Sequence, residues 1–197
     1  MKIPANLKID GSYHQYCLNC LKENITRVYN DNGLTKYSCS SCHKILDRSL
    51  VFDPAIVSWI DELGNYWHKS VGILVCNPQG QILLFKRTIF PYVFTIPAGH
   101  LDKNETPLQA AKRELKEETG ITADSLDLIF EGGIAEDSCR RGSDHHYWYL
   151  YKTTVTNSVV TNERNDEGGQ LVWLDKDKLL LNDITIPIRF FIERSII

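Results

Sequence analysis

Residues Arg113-Glu114-Leu115-Lys116-Glu117-Glu118 carry three glutamates at spacing i, i+3 and i+4. In a helix, at about 100° per residue, those carboxylates project from one face. Leu108, Ala111 and Leu115 form the adjoining apolar stripe, which should face a core. The glutamates then lie at the margin of the buried face, with Lys112 and Lys116 turned to solvent. Carboxylates that close repel one another unless a cation sits among them. Arg113, four residues before Glu117, holds part of that charge. Hard oxygen donors in this arrangement suit Mg2+ or Mn2+. A solvated Glu/Lys helix has a similar pattern, so the helix alone leaves both readings open.

A second set of residues has metal-ligand spacing. Cys17-x-x-Cys20 and Cys39-x-x-Cys42 are separated by 18 residues, inside the window of structural zinc sites. Four thiolates make a closed tetrahedral site with no open position, which is a structural role rather than a catalytic one. Disulfides and a rubredoxin-type iron use similar paired cysteines, and His14 or His43 can stand in for a ligand. Cys76 and Cys139 read as unpaired thiols, Cys76 as a buried one.

The elements that must position these groups follow from local signals. Thr106 is an N-cap, Pro107 sits at the first helical position, Gln109 completes a capping box and Gly120 stops the helix. Upstream, residues 70–76 and 81–87 read as strands around the turn Asn77-Pro78-Gln79-Gly80. Residues 92–96 read as a strand ending in Pro97-Ala98-Gly99. Residues 126–130, 145–154 and 171–174 read as further strands, and 175–181 and 187–197 as helices. In the N-terminal part, Asp31-Asn32-Gly33 is a turn flanked by strands at 25–29 and 34–37. About 50 polar residues of this kind need a staple in order to fold, and the four cysteines supply it. Residues 49–54 read as the connection to the second part.

The chain has 197 residues, of which 43% are hydrophobic and 24% charged. Those are globular values and exclude disorder and simple coiled coil. The net charge of −3 divides unevenly. Residues 1–50 carry seven Lys/Arg against four Asp/Glu, and the remainder 15 against 21. An acidic domain that acts on an anion needs a divalent cation. The basic excess of the first part is too slight to argue for nucleic acid as a partner. The N-terminal stretch lacks the apolar run of a secretory signal, and no segment reaches membrane-spanning length. The expected location is cytoplasmic, with no membrane contact and with thiols reduced.

The loop before the helix extends the pattern. Gly99, Glu105, Arg113, Glu114, Leu115, Glu117, Glu118, Gly120 and Ile121 fill every specified position of G-x5-E-x7-R-E-U-x-E-E-x-G-U, where U is aliphatic. On this motif the chain resembles the Nudix hydrolase family. The resemblance implies an α/β/α sandwich around a mixed sheet over residues 55–197, preceded by a small β zinc ribbon over 1–50. It implies hydrolysis of the pyrophosphate bond in a nucleoside diphosphate linked to another group, by metal-activated water. Glu114, Glu117 and Glu118 match the Mg2+ (or Mn2+) ligands, and Gly99 matches the glycine whose carbonyl completes the coordination. Arg113 and Glu105 match the pair that braces the helix. The general base is usually a further glutamate or one of the motif's own; Glu167 is the further candidate, with Glu163 as its rival on the same loop.

Arg87 and Arg141 are the expected phosphate contacts, while Lys86 and Arg140 read as surface charge. Only one of His145 and His146 can face inward, as a structural histidine. A nucleotide base can stack on Tyr13, Tyr66, Trp67, Tyr92 or Trp148, although Trp67 and Trp148 fit a core. Family members with an N-terminal four-cysteine ribbon include NADH pyrophosphatases, which also act on NAD-capped RNA. Their Ser-Gln-Pro-Trp-Pro-Phe-Pro stretch has no counterpart, because residues 121–145 contain no proline. Pro97-Ala98-Gly99 resembles some ADP-ribose pyrophosphatases, but their downstream proline is lacking too, so no motif assigns the substrate. The expected partner is a nucleotide-type small molecule, and a homodimer is common in the family. An NADH or NAD-cap pyrophosphatase is the alternative of the same kind. A nucleotide-sensing regulatory domain with a partner-binding ribbon is the alternative of another kind, and the intact motif favours an enzyme.

Overall fold

The computed structural model describes residues 2–156 and 168–197. The N-terminal part holds five short strands: β1 (His14–Cys17), β2 (Ile25–Tyr29), β3 (Thr35–Cys39), β4 (Ile45–Leu46) and β5 (Ser49–Phe52). Strands β2, β3 and β4 form one antiparallel sheet, and β1 pairs with β5. The β2–β3 turn is built by Asn30, whose side-chain oxygen accepts from the N–H groups of Asn32 and Leu34, with Gly33 at φ +73°.

The two cysteine pairs sit on matching knuckles. Leu21 and His43, each directly after the second cysteine of its pair, take φ values of +58° and +56°. Their N–H groups donate to Cys17 O and Cys39 O at 2.9 and 2.8 Å. Cys17 and Cys39 in turn donate to Lys22 O and Lys44 O. Two identical turns facing each other bring four sulfurs together.

The larger part contains β6 (Ser58–Ile60), β7 (Tyr66–Cys76), β8 (Ile82–Arg87), β9 (Phe94–Thr95), β10 (Ala98–His100), helix α1 (Pro107–Thr119), β11 (Asp127–Ala135), β12 (His145–Thr154), β13 (Gly168–Leu174), a 3-10 turn (Lys176–Leu181) and helix α2 (Ile186–Glu193). The sheet runs β11-β12-β7-β8-β13, with β6 and β10 on β7 and β9 on β8. It is mixed, because β12 runs parallel to β7 while the other pairings are antiparallel.

Strand alternation divides the core into two layers. Val71, Ile73, Val75 and Leu83 pack under Ala110, Ala111 and Leu115 of α1. Leu74, Ile82, Leu84 and Leu150 pack under Ile188 and Phe191 of α2. The result is the expected α/β/α sandwich. Leu108 departs from the expected stripe and is 40% exposed, because α1 turns Ala110, Ala111 and Leu115 into the sheet instead.

Other segments differ from the sequence reading. Tyr92 takes φ +57°, which leaves only Phe94–Thr95 of residues 92–96 in a strand. Lys176–Leu181 form a 3-10 turn rather than a helix, and the Asp175 carboxylate before it accepts from Gln81 and Lys178 instead of capping the turn. Helix α2 ends at Glu193, and the chain then folds back so that Ile196 and Ile197 both donate to Phe191 O. Among the described residues, no helix is long and apolar enough to cross a membrane.

The largest difference concerns residues 49–52. They form a fully buried strand rather than an open connection. Ser49 and Val51 donate to the carbonyls of Arg140 and Arg141 at 3.2 and 3.0 Å. Leu50 packs with Tyr16 and Phe52 against Tyr66 of β7. Elsewhere Thr35 N donates to Thr88 O, and the Tyr92 hydroxyl donates to Thr35 O at 2.7 Å. The small part is thus seated on the sandwich by backbone pairing and a shared apolar cluster. Leu50→Ala should cost about 2–5 kcal/mol, the usual penalty for a core cavity. Chemical denaturation measures this, and a loss below about 0.5 kcal/mol would contradict the shared cluster.

Candidate active site

Helix α1 begins as its sequence dictates. The Thr106 side chain accepts from Gln109 N, Gln109 reaches back to Thr106 N, and Pro107 opens the first turn. Gly120 ends the helix in the left-handed conformation at φ +71°. Between these caps the register of the glutamates is fixed. Glu114 and Glu118 are each only 5% exposed, whereas the side chain of Glu117 is 37% exposed.

The close approach of loop and helix explains the glycine. A Cβ on Gly99 would fall 1.9 Å from Glu114 Oε1, so any larger residue would drive the carboxylate away. The adjacent Ala98 N–H donates to Glu118 Oε2 at 2.8 Å. Strand β10 and helix α1 therefore meet through two carboxylates.

Arg113 ties the cluster together. Its Nε and Nη2 grip both oxygens of Glu105 at 3.1 and 2.6 Å. Its Nη1 donates to Glu114 Oε1 at 2.6 Å and to Glu117 Oε2 at 3.5 Å. Its Nη2 also donates to the carbonyl of His100 at 3.2 Å. Burial pushes the Glu105 carboxyl up, but the hydrogen bonds and charge of Arg113 outweigh it and hold Glu105 below the usual carboxylate range. The same hydrogen bonds, Glu105's first, raise Arg113 above its ordinary value.

A pocket opens beside this cluster. Arg87, Gly99, His100, Arg140, His146 and Trp148 are among its walls. Arg87 is placed as expected and also donates to Phe90 O at 3.3 Å. Arg141 is engaged with Asp53 at 2.5 Å, and it is Arg140 that lines the pocket. Of the aromatic candidates, Trp148 reaches the pocket, its Nε1 donating to Asp137 at 2.8 Å. Tyr66 is buried, and Trp67 stacks between Trp59 and His145. Glu163 and Glu167 lie outside the described residues.

Residues that no local spacing marked also gather here: His100, Cys139 and His146 line the pocket, and His68 is buried against them. His146 is the inward member of its pair, as strand alternation requires, and it meets His68, His100 and Cys139. Burial pushes the His68 imidazole down and that of His100 to about 3. Burial also opposes charge on His146, but Asp137 and Cys139 outweigh it and push His146 up to about 10. The four residues come from four separate segments, so only the fold shows them together.

The sandwich and its acidic loop–helix–loop define a sheet-edge site that gathers carboxylates beside a pocket. Residues 66–194 match the NUDIX domain family, and the chain belongs to it. The RNA pyrophosphohydrolase of Bartonella henselae is 42% identical over 93 residues, covering 43% of this chain and 45% of that protein. The Erythrobacter litoralis RNA pyrophosphohydrolase is 24% identical over 66% of this chain and 88% of its own length. In the first of these the chain spans less than half the length of the curated relative it matches. Among solved structures, the NUDIX domain of Shewanella oneidensis NrtR, complexed with ADP ribose, aligns with a TM-score of 0.56 at 16% identity, covering 66% of this chain and 86% of that one. The MutT protein of Methanosarcina mazei aligns at 0.56 and 22%, covering 65% and 91%.

The Glu105–Arg113 pair yields a pH test. Because the Glu105 pKa is lowered by folding, its contribution is complete above the ordinary carboxyl value of about 4.3 and is lost as pH falls through the lower folded value. Glu105→Gln should cost about 1.5–3 kcal/mol at pH 7, the range for hydrogen bonds to a charged group. The gap between variant and parent in urea denaturation should narrow as pH drops below about 4. A gap that stays constant across that acid range would contradict the assignment.

Proposed function

We propose that this protein is a divalent-metal-dependent pyrophosphohydrolase acting on a nucleoside diphosphate linked to another group. The observation that carries this reading is the packing of Glu114 against Gly99 and of Glu118 on the Ala98 N–H, with Arg113 linking Glu114 to Glu117. The names of the Bartonella and Erythrobacter relatives support pyrophosphate chemistry, and the ADP ribose in the Shewanella domain supports a nucleotide ligand.

The residues present fit a hard divalent ion. Their donors are all oxygen, and the space a Cβ would fill at Gly99 is what lets Glu114 approach the loop. Glu114, Glu117 and Glu118 would hold Mg2+ or Mn2+, with the Gly99 carbonyl beside them. Such an ion, when bound, neutralises charge building on the pyrophosphate oxygens and acidifies a bound water. Arg113 keeps the carboxylates in register, braced by Glu105. Arg87 and Arg140 supply positive charge at the pocket, where phosphates would lie, while Arg141 would act through its hold on Asp53. Glu167, which precedes β13 in the sequence, is the proposed general base. Trp148 offers a ring to the base or sugar.

The four-cysteine group has the dimensions of a zinc site. Cys17 Sγ and Cys42 Sγ lie 3.7 Å apart, as do Cys20 Sγ and Cys39 Sγ. A tetrahedron with zinc–sulfur bonds of about 2.3 Å has edges of about 3.8 Å. We therefore assign a structural Zn2+ to Cys17, Cys20, Cys39 and Cys42. Their need to stay reduced suits the cytoplasm.

The test is a panel of ADP-ribose, NADH, dinucleoside polyphosphates, nucleoside triphosphates and 5′-triphosphate or NAD-capped RNA, with Mg2+ or Mn2+. At least one should be cleaved at its pyrophosphate. Glu118→Gln should lower that turnover by a factor of about 100 or more, since it removes metal-borne charge stabilisation, while the circular dichroism spectrum stays unchanged. Binding of a nucleotide with no turnover of any substrate would favour the sensing role. Separately, Cys20→Ala should release zinc and lower the melting temperature. Unchanged zinc content would refute the ribbon assignment.

A further inference from the structure

The thiol of Cys139 and three imidazoles converge in the sandwich domain, on the wall of the pocket that Gly99 also lines. One donor atom from each of His68, His100, Cys139 and His146 lies within 4.8 Å of every other. His68 and His146 are almost wholly buried, at 0% and 2% exposure. We propose that these four residues hold a second zinc ion, ligated by three imidazoles and one thiolate.

The distances between donors match such a site. His68 Nδ1 and His100 Nε2 are 3.1 Å apart, and Cys139 Sγ is 3.7 Å from His68 Nδ1. Zinc–nitrogen bonds of about 2.0–2.1 Å and a zinc–sulfur bond of about 2.3 Å give tetrahedral edges of about 3.3 Å and 3.6 Å. His68 stands across the other two rings, at 81° to His100 and 78° to His146, while His100 and His146 are inclined by 32°.

The surroundings also fit. Asp137 Oδ2 lies 3.0 Å from His146 Nδ1, which leaves His146 Nε2 to face the centre. A carboxylate on the far nitrogen is the usual partner of a metal-bound histidine. Trp148 Nε1 donates to the same Asp137 oxygen and fixes it. Mixed imidazole and thiolate donors select zinc over the hard cations suited to the glutamates.

With four protein ligands the site is closed, so its role is structural. It cross-links β7 through His68, β10 through His100, β12 through His146 and the β11–β12 loop through Cys139. His100 follows Gly99, and its carbonyl takes a hydrogen bond from Arg113. The ion therefore anchors the strand against which Glu114 is packed, and holds Cys139 and its neighbour Arg140 at the pocket wall.

The full chain, purified without chelator, should contain two zinc ions by mass spectrometry of the metals. X-ray absorption at the zinc edge should show five sulfur to three nitrogen ligands over the two sites, the sum of an all-cysteine set and a set of three histidines and one cysteine. Cys139→Ala should fall to one zinc and to sulfur-only coordination. If that variant fails to fold, the parent spectrum still decides the matter, because a ribbon alone contributes no nitrogen. In the parent, Cys139 should resist alkylation until a strong chelator is added. One zinc per chain with sulfur-only coordination, or Cys139 alkylated at the same rate with and without chelator, would overturn the proposal.

Discussion

The carboxylate of Glu114 is pressed against the backbone of Gly99 and held there by Arg113. Much of the sandwich answers to that contact. Helix α1 must start at Thr106 and pack Ala110, Ala111 and Leu115 on the sheet for Glu114 to arrive at the loop. Strand β10 must pair with β7 to present Gly99 without a side chain. Arg113 spans both, because one guanidinium meets Glu105 on the loop, Glu114 and Glu117 on the helix, and the carbonyl of His100 on the strand. Gathering like charges is unfavourable by itself. The folded chain tolerates it because a delocalised cation with five donors lies among them.

The N-terminal part contributes to the same region from the other side. Strand β5 pairs with β1 and reaches the carbonyls of Arg140 and Arg141 with its own N–H groups. Gly142 is required where this strand crosses, since its φ is +86° and a Cβ would meet Leu50 Cα at 2.8 Å. Arg141 then closes on Asp53. The loop that lines the pocket is thus seated by residues 49–53, and the small part shapes the wall of the site it precedes.

What can be read from the sequence follows from where the interactions lie. The acidic face of α1, its caps and the cysteine knuckles are set by residues three to five positions apart, and such spacings are legible in one dimension. The seat of β5 on residues 140–141 and the meeting of His68, His100, Cys139 and His146 depend on strand pairing across the fold. No local pattern announces them. In sequence Cys139 reads as a lone thiol and His146 as a structural histidine, because their partners stand on other strands. Leu108 misleads for a related reason, since the sheet selects which apolar residues of an amphipathic helix are buried. Glu167, placed in the site by its resemblance alone, lies outside the described residues.

Three proposed metal sites within one chain raise the question of how ions would be sorted. Zinc binds most nitrogen and oxygen donors more tightly than Mg2+ does, so affinity order alone would fill all three groups with zinc. The geometry works against this. The glutamate group offers only oxygen donors, and Glu117 is partly exposed, as suits an ion that keeps some of its waters. The two cysteine-containing groups are compact, soft and closed by four protein donors each. Such sites would bind zinc far more tightly than the glutamates could, and at limiting zinc they would fill first. The abundant hard cation would then be left to the open acidic face. Separation of ligand types within the fold, rather than selectivity at any one site, is therefore what would keep a catalytic ion exchangeable beside structural ions that are not.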